Sequence, residues 1–397
     1  MKIKALQCNT NRCNAAHNLL DHTLEAAGCQ ALRSTSGVHG SNGQSSPESS
    51  IETPRDTVES SSYLFDMSPG IHVATTYLKG IHVSPIGEGD EQRILLFGRE
   101  SVSEWIRLVR KIYVDGTFSL SPGLFYQIVV ILVERDCFVL PVCYALLPNK
   151  TEETYRRMIR LLRDAWPALR PQAISTDFEK GLINALSEAF PIAELHGCFF
   201  HLVKNLKKKL SDLHLMSRYQ NDGNFSLSAR TITGLAFVPP QAIDHVIAEL
   251  AVFLPEDLMP VLKYSEDTYV GSLQHLLPDG SVIRREPMFP VAMWSVYERT
   301  LNQDSRTNNY AEAAHRRLQT EFGVDHPSLW RFVDGLRKIQ HHRDILLARY
   351  INGNRPTAKR TKYLKIDERL FELVNTFESR TPVEFLQGVA SNFLMEA

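Results

Sequence analysis

Three hydrophobic runs in close succession decide the fold of this chain: KIYVDGTF at residues 111–118, FYQIVVILVE at residues 125–134 and FVLPVCYALL at residues 138–147. All three are rich in β-branched and aromatic residues, which favour strands. The links between them hold only six and three residues, and links this short join antiparallel neighbours. The sequence therefore predicts a three-stranded antiparallel unit, in which Pro141 marks an edge strand or a bulge.

Helices and strands alternate downstream of this unit. Residues 151–166 predict a helix, with Thr151 as its N-cap and two glutamates in its first turn. The pattern then predicts a strand at 172–176, a helix at 179–190, a strand at 193–199 and a helix at 200–213. Three antiparallel strands followed by helix, strand, helix, strand and helix is the order of the ribonuclease-H-like fold. We therefore expect an α/β core built on a mixed sheet.

The remaining chain is predicted to be mostly helical or irregular. A short helix is expected at residues 101–109, a largely helical stretch at 236–300, and two long helices at 307–322 and 329–352. The predicted organisation is a mostly disordered tail, a core, a helical insertion, a core helix and a helical C-terminal region, at residues 1–66, 92–213, 214–306, 307–325 and 326–397.

Two aspartates occupy apolar stretches of sequence, where burying a carboxylate is energetically unfavourable. Asp115 follows three apolar residues inside the first strand, and Asp177 ends the fourth strand; an isolated buried carboxylate is unfavourable. First and fourth strands are neighbours in the ribonuclease-H order, so the two carboxylates would face each other and repel unless a divalent cation lay between them. Mg²⁺ prefers such oxygen ligands, and two ions about 3.5–4 Å apart activate the attacking oxygen and stabilise the leaving one.

A third acid is expected from a helix that passes behind this pair. Glu312 is the best candidate, on a helix for which Thr307 is the predicted N-cap, and His315 lies on the next turn of the same face. The alternative is an ordinary amphipathic helix whose inward residues are Tyr310, Ala314 and Leu318.

Four pieces of the chain together resemble the MULE (Mutator-like element) transposase domain: VDGTF at 114–118, the strand at 173–177, HGCFFHLVKNL at 196–206 and TNNYAEAAHRRL at 307–318. The resemblance covers roughly residues 92–325. It implies a metal-dependent DDE enzyme that hydrolyses and transfers strands of transposon-end DNA, using Mg²⁺ or Mn²⁺. It also implies that Asp115, Asp177 and Glu312 are the catalytic, metal-binding acids, with a helical insertion in the 135 positions between the last two.

Cys198 and His201 match the Cys-x-x-His element of that family. A structural zinc site needs four ligands, and the nearby His196 and His214 do not make a convincing set. Zn²⁺ is therefore the less favoured interpretation. We expect packing and hydrogen bonding at a strand–helix junction, with a role near the substrate strand as the alternative.

The N-terminal segment resembles a zinc finger only faintly. Cys8, Cys13, His17 and His22 have just three residues between the second Cys and the first His, against about twelve in a two-Cys, two-His finger. Residues 28–37 resemble the end of a FLYWCH-type finger whose other ligands are missing. Residues 34–62 hold ten Ser and no aromatic residue, which favours disorder. A disordered tail is preferred to a degenerate finger.

The chain carries basic residues in local groups. Four arginines occur on the predicted helix at 151–166, and a net charge of +7 accumulates between Thr307 and Lys365. Such groups are most often solvated helix faces, but beside a carboxylate triad they would bind phosphates. The candidate DNA-binding residues are Lys204, Lys207, Lys208, Arg316 and Arg317.

Composition limits the remaining possibilities. The formal net charge is −1, so DNA affinity must come from local patches, and six irregularly spaced Cys suggest a reduced protein. The sequence shows neither an 18-residue apolar run nor a signal peptide, so we expect a nuclear or otherwise intracellular protein with no membrane partner. A transposase acting on DNA, as a homo-oligomer, is the leading hypothesis. The alternatives are a domesticated, non-catalytic DNA-binding or protein-interaction factor and a generic ribonuclease-H-like nuclease.

Overall fold

A computed structural model of the chain describes residues 82–84, 93–136, 138–276, 278, 282–355 and 361–393. The chain divides into two units, Met1–Ile71 and His72–Ala397, and all described residues belong to the second. The predicted disordered tail and its possible zinc finger lie outside the described residues.

Seven strands form one mixed sheet in the order β1-β2-β5-β4-β3-β6-β7. They are β1 (His82–Ser84), β2 (Leu95–Gly98), β3 (Lys111–Thr117), β4 (Gln127–Arg135), β5 (Phe138–Leu147), β6 (Ala173–Thr176) and β7 (Glu194–Gly197). The hairpins β3–β4 and β4–β5 are antiparallel, as predicted, whereas β6 and β7 run parallel to β3. The register of β4 against β5 shifts at Ile131/Leu132, opposite Pro141, which confirms the predicted bulge.

Thirteen α-helices are described. They are α1 (Glu152–Ala165), α2 (Lys180–Ala189), α3 (Phe199–Asp212), α4 (Met216–Asn221), α5 (Gly223–Gly234), α6 (Ile243–Phe253), α7 (Met259–Ser265), α8 (Val291–Trp294), α9 (Tyr297–Leu301), α10 (Asn309–Phe322), α11 (Leu329–Ile351), α12 (Thr361–Asn375) and α13 (Pro382–Ala390). None of them combines the length and the apolar character needed to cross a membrane.

Helices cover both faces of the sheet. On one face α1 and α2 bury their apolar stripes against alternate strand residues such as Ile112 and Val114. The intervening Tyr113 points to the opposite face, where α10 and α11 pack. The N-cap of α1 is Thr151, as predicted, and its side chain accepts a hydrogen bond from the Thr154 backbone N–H.

The insertion is largely helical, as predicted, and its hydrophobic core includes residues of α3. Within residues 236–300 the chain also forms an antiparallel hairpin of β8 (Leu273–Leu276) and β9 (Val282–Arg284). The residues predicted as one C-terminal helical region, 326–397, also divide. Helix α11 packs on the sheet, whereas α12 and α13 join the core of the insertion.

Two helix boundaries differ from the prediction. The helix expected at 101–109 is a pair of 3-10 helices, Glu100–Glu104 and Ile106–Leu108. Helix α10 begins at Asn309 with Asn308 as its N-cap residue, one position after the predicted Thr307. The Asn308 N–H instead donates to the Cys198 sulfur, 3.1 Å away, so a long-range contact fixes where this helix starts.

Candidate functional site

The register of the sheet brings Asp115 and Asp177 to the same level. Strand β3 pairs with β6 in parallel, and the last recorded pair joins Tyr113 to Ser175. Asp115 and Asp177 each lie two residues further on, so both point to the face that α10 covers. The charge of Asp177 acts directly on Asp115. The two predicted aspartates are thus neighbours at one end of the sheet.

Helix α10 brings Glu312 and His315 over this pair. His315 Nδ1 lies 3.8 Å from one Asp115 carboxylate oxygen, and His201 Nε2, from α3, lies 3.9 Å from the other. Both separations exceed hydrogen-bonding distance. The sequence pattern identified His201 within the Cys-x-x-His element and His315 as a neighbour of Glu312, but did not place either beside Asp115. The signal was available for His315, because it follows Glu312 on the same helix face.

Burial makes ionisation of the three acids unfavourable. Asp115 is only 3% exposed, and burial and the nearby Asp177 charge raise its pKa well above the usual range. Burial and the charge of Glu179 raise the pKa of Asp177 to about 6. Burial also raises the pKa of Glu312, although Arg316 and Lys204 oppose that rise. A bound cation would relieve this repulsion.

The two histidines do not supply the missing positive charge. Burial lowers the pKa of His201 to about 4, with a smaller contribution from Lys204. Burial, followed by the charge of His201, lowers the pKa of His315 to about 4. Both imidazoles are therefore neutral at physiological pH.

Buried polar atoms without hydrogen-bond partners gather around the acids. Such atoms are uncommon in folded proteins and often mark a ligand or ion site. In the part of the chain that the structure describes, they include Asp177 Oδ1, His201 Nδ1, both Asn308 amide atoms, Glu312 Oε1 and His315 Nε2. Asn308 was not singled out as functional by the sequence pattern, and its two unpartnered amide atoms are the clearest addition to the site.

The donor set suits an open metal site rather than a closed one. Among the described residues, no group of three or more His, Cys, Asp or Glu side chains is placed as a ready-made ligand cage. Mg²⁺ normally takes one or two protein carboxylates and completes its shell with water and substrate phosphate. Asp115 and Asp177, with the unpartnered oxygens around them, fit that mode of binding.

The side chains of Cys198 and His201 contact different partners. The Cys198 sulfur accepts the hydrogen bond from Asn308 described above, and burial raises its pKa to about 12, so it remains a thiol. His201 faces Asp115, whereas His196 lies 3.4 Å from Glu194. The Cys-x-x-His element therefore links the start of α3 to the start of α10.

The candidate DNA-binding residues and the arginines of α1 lie in different regions of the molecule. Lys204 is exposed and its charge acts on Asp115 and Glu312, and Arg316 lies 3.6 Å from Glu312. Lys208 and Arg317 are exposed and Lys207 is half-buried. The arginines of α1 lie elsewhere. Together with Arg170, three of them line a cavity of about 530 Å³ against α2, on the other face of the sheet: Arg156, Arg160 and Arg163.

Comparison with known proteins matches part of the chain to a family. The family model described as MULE transposase domain matches residues 111–205, which include Asp115, Asp177 and the Cys-x-x-His element but not Glu312. This match supports a transposase-related function and implies interaction with DNA.

One similar protein is the PKS-NRPS hybrid synthetase cheA of Chaetomium globosum, 34% identical over 70 residues. These residues are 17% of this chain and only 2% of the synthetase, so the likeness carries no argument about synthetase activity. The family match covers one segment: residues 111–205 of this chain, which contain strands β3 to β7, match the MULE transposase domain.

Proposed function

We propose that the chain is a MULE-type DDE transposase, or a derivative of one, that catalyses metal-dependent cleavage and transfer of DNA strands on a ribonuclease-H-like core. The strand order β5-β4-β3-β6-β7, with three antiparallel strands followed by two parallel ones, supports that core. Nuclear location and homo-oligomeric assembly belong to the same proposal.

One observation carries the proposal: the β3–β6 register brings Asp115 level with Asp177, and α10 packs over the same face with Glu312. In this proposal the two aspartates hold the metal and Glu312 completes the acid cluster. Bound Mg²⁺ or Mn²⁺ would polarise a phosphate oxygen and lower the pKa of a water molecule. Lys204 and Arg316, at the rim, would bind the phosphates that flank the cleaved bond.

Cleavage assays with matched variants test this proposal. The protein, with Mg²⁺ or Mn²⁺, is incubated with labelled duplexes that tile the DNA flanking its gene. We expect Asp115→Asn and Glu312→Gln each to lower the cleavage rate by about 1,000-fold or more, since each weakens the binding of the metal that would stabilise charge at the reacting phosphate. The matched control is Glu194→Gln, a variant of an exposed acid on β7, which should cleave normally. Unchanged cleavage in both acid variants would show that these acids are not catalytic.

A non-catalytic DNA-binding factor is the second candidate. It is favoured by the extent of the family match, which ends at residue 205 and does not include Glu312. In that case the unmodified protein would bind DNA in a salt-dependent manner but would cleave none of the duplexes with either metal.

A further inference from the structure

The loop between β3 and β4 exposes three large apolar side chains close to the acid cluster. Phe118 is 45% exposed, Leu124 is 74% exposed and Tyr126 is 48% exposed. The same loop buries Leu120, which joins the core between the sheet and α10. The loop therefore has an inward apolar anchor and, separately, an outward apolar surface. Clustered exposed apolar residues commonly mark a binding surface.

Phe118 and Tyr126 form a pair of rings. Their centroids are 5.1 Å apart and their planes are inclined at 72°, an edge-to-face arrangement. The Lys150 ammonium lies 5.9 Å from the centroid of the Phe118 ring. The surface thus combines two aromatic rings with a cation, and we call these three residues the aromatic platform.

Hydrogen bonds hold the loop that carries the platform. The Tyr126 N–H donates to Leu147 O at 2.8 Å, and the Ser121 N–H donates to Phe118 O at 3.1 Å. The Ser121 hydroxyl donates to Phe125 O at 2.8 Å. A second segment braces the tip, because the His326 N–H donates to Ser119 O at 2.8 Å. The exposed rings are therefore held in place before any partner binds, which lowers the entropic cost of binding.

Two observations indicate that the platform lies at the same end of the sheet as the acids. Phe118 is three residues beyond Asp115, about 10 Å along an extended strand. On the other side, the charge of Lys150 acts on Glu179, and the charge of Glu179 acts on Asp177. A DNA strand whose phosphate reaches the acids would therefore pass the platform within about three nucleotides, at 3.4 Å per step.

We propose that Phe118, Tyr126 and Lys150 form a stacking site for an unpaired base at the DNA end that enters the acid cluster. Every base offers an aromatic face, so rings beside a cation bind single strands with little sequence preference. A paired base inside a duplex presents no free face, so the site selects frayed or single-stranded ends. This inference rests on the proposed function, because it assigns the form of DNA that reaches the acids.

The test measures stacking separately from cleavage. Duplexes with a three-nucleotide overhang that contains 2-aminopurine, and blunt duplexes of the same sequence, are titrated with the full-length protein in Ca²⁺. Ring stacking quenches the fluorescence of 2-aminopurine. The double variant Phe118→Ala/Tyr126→Ala should lose the quenching and bind the overhang about tenfold or more weakly, while its affinity for the blunt duplex stays within twofold.

Two further variants separate ring stacking from general apolar contact. Leu124→Ala removes a more exposed apolar side chain from the same loop but no ring, and should leave the quenching intact. Phe118→Trp keeps a ring and should also preserve it, which guards against misreading a misfolded alanine variant.

Defined outcomes would overturn the stacking site. These are unchanged quenching in the double variant, equal losses in Leu124→Ala, or a double variant that alters only the sedimentation of the protein, which would indicate an interface between copies of the chain. Quenching without cleavage of any DNA would contradict the proposed catalysis alone.

Discussion

At the scale of single residues, Asp115 stands out, because its carboxylate is buried and no cation is hydrogen-bonded to it. Asp115 is flanked by two neutral histidines and by a second aspartate, and none of these neutralises its charge. Ionisation of Asp115 is therefore unfavourable unless a cation binds beside it. Functional sites commonly carry this kind of local cost.

The variant Asp115→Asn should make the metal-free protein more stable at pH 7.5. Because the folded-state pKa of Asp115 is raised, ionisation destabilises the fold as the pH rises above about 4, the unfolded value. Removing the charge should raise the unfolding free energy by about 1–3 kcal/mol, measured by thermal or urea unfolding in EDTA. The gain should shrink as the pH falls below about 4, where Asp115 becomes protonated in the unfolded state as well.

Added Mg²⁺ provides the control for that variant. The unmodified protein should gain about 2.7 kcal/mol at a metal concentration 100 times the dissociation constant, whereas Asp115→Asn should gain little. An asparagine variant that is less stable than the parent at pH 7.5 would argue that Asp115 has a structural partner.

At the scale of elements, the position of Glu312 depends on how α10 packs against α11. Gly335 on α11 makes this close approach possible, because a Cβ there would lie 2.4 Å from the ring of Phe322 on α10. The packing is continued by Phe332, whose ring centroid is 5.4 Å from that of Phe322.

The variant Gly335→Ala should therefore push α10 away from α11. We expect a loss of about 1–3 kcal/mol in unfolding free energy, typical of an overpacked core, together with weaker metal binding. Gly223→Ala is the control, since a Cβ there meets nothing within 4 Å. Equal melting temperatures for Gly335→Ala and the parent would mean that the helices adjust without strain.

The sequence predicted correctly those elements whose formation depends on residues close to one another along the chain. The runs that became β3, β4 and β5 have short links, and Thr151 has a local capping partner. The start of α10 was misplaced by one residue because it is set by Cys198, 110 positions away. The hairpin β8–β9 was missed because it is short and lies among helical patterns. The contacts of His201 and His315 with Asp115 needed the three-dimensional packing of three elements.

At the scale of the whole molecule, two distant segments build one hydrophobic core. Helices α4 to α9 of the insertion share this core with α12 and α13, through residues such as Leu370, Phe385 and Leu386. The sequence predicted that these regions are largely helical, but not which helices pack together. That choice is made by long-range packing, which periodicity does not encode.

The variant Leu386→Ala should therefore destabilise the insertion. Leu386 is fully buried and contacts Gly234 of α5, and removing such a side chain costs about 2–5 kcal/mol. Hydrogen exchange should show lost protection in α5 and α6 as well as α13. Ile192→Ala, at a side chain that is 93% exposed, should change neither. Loss of protection confined to α13 would contradict a shared core.

Because of the shared core, the segment formed by α10 and α11 is attached at both ends to the same group of helices. We call this segment the strap. The strap leaves the insertion after α9 and returns to it at α12, and between these points it crosses the sheet with Glu312 on its inner side. A force that tilted the insertion would therefore pull on the strap from both ends. We expect such a tilt to move Glu312 relative to Asp115 and so to change the spacing of the acids.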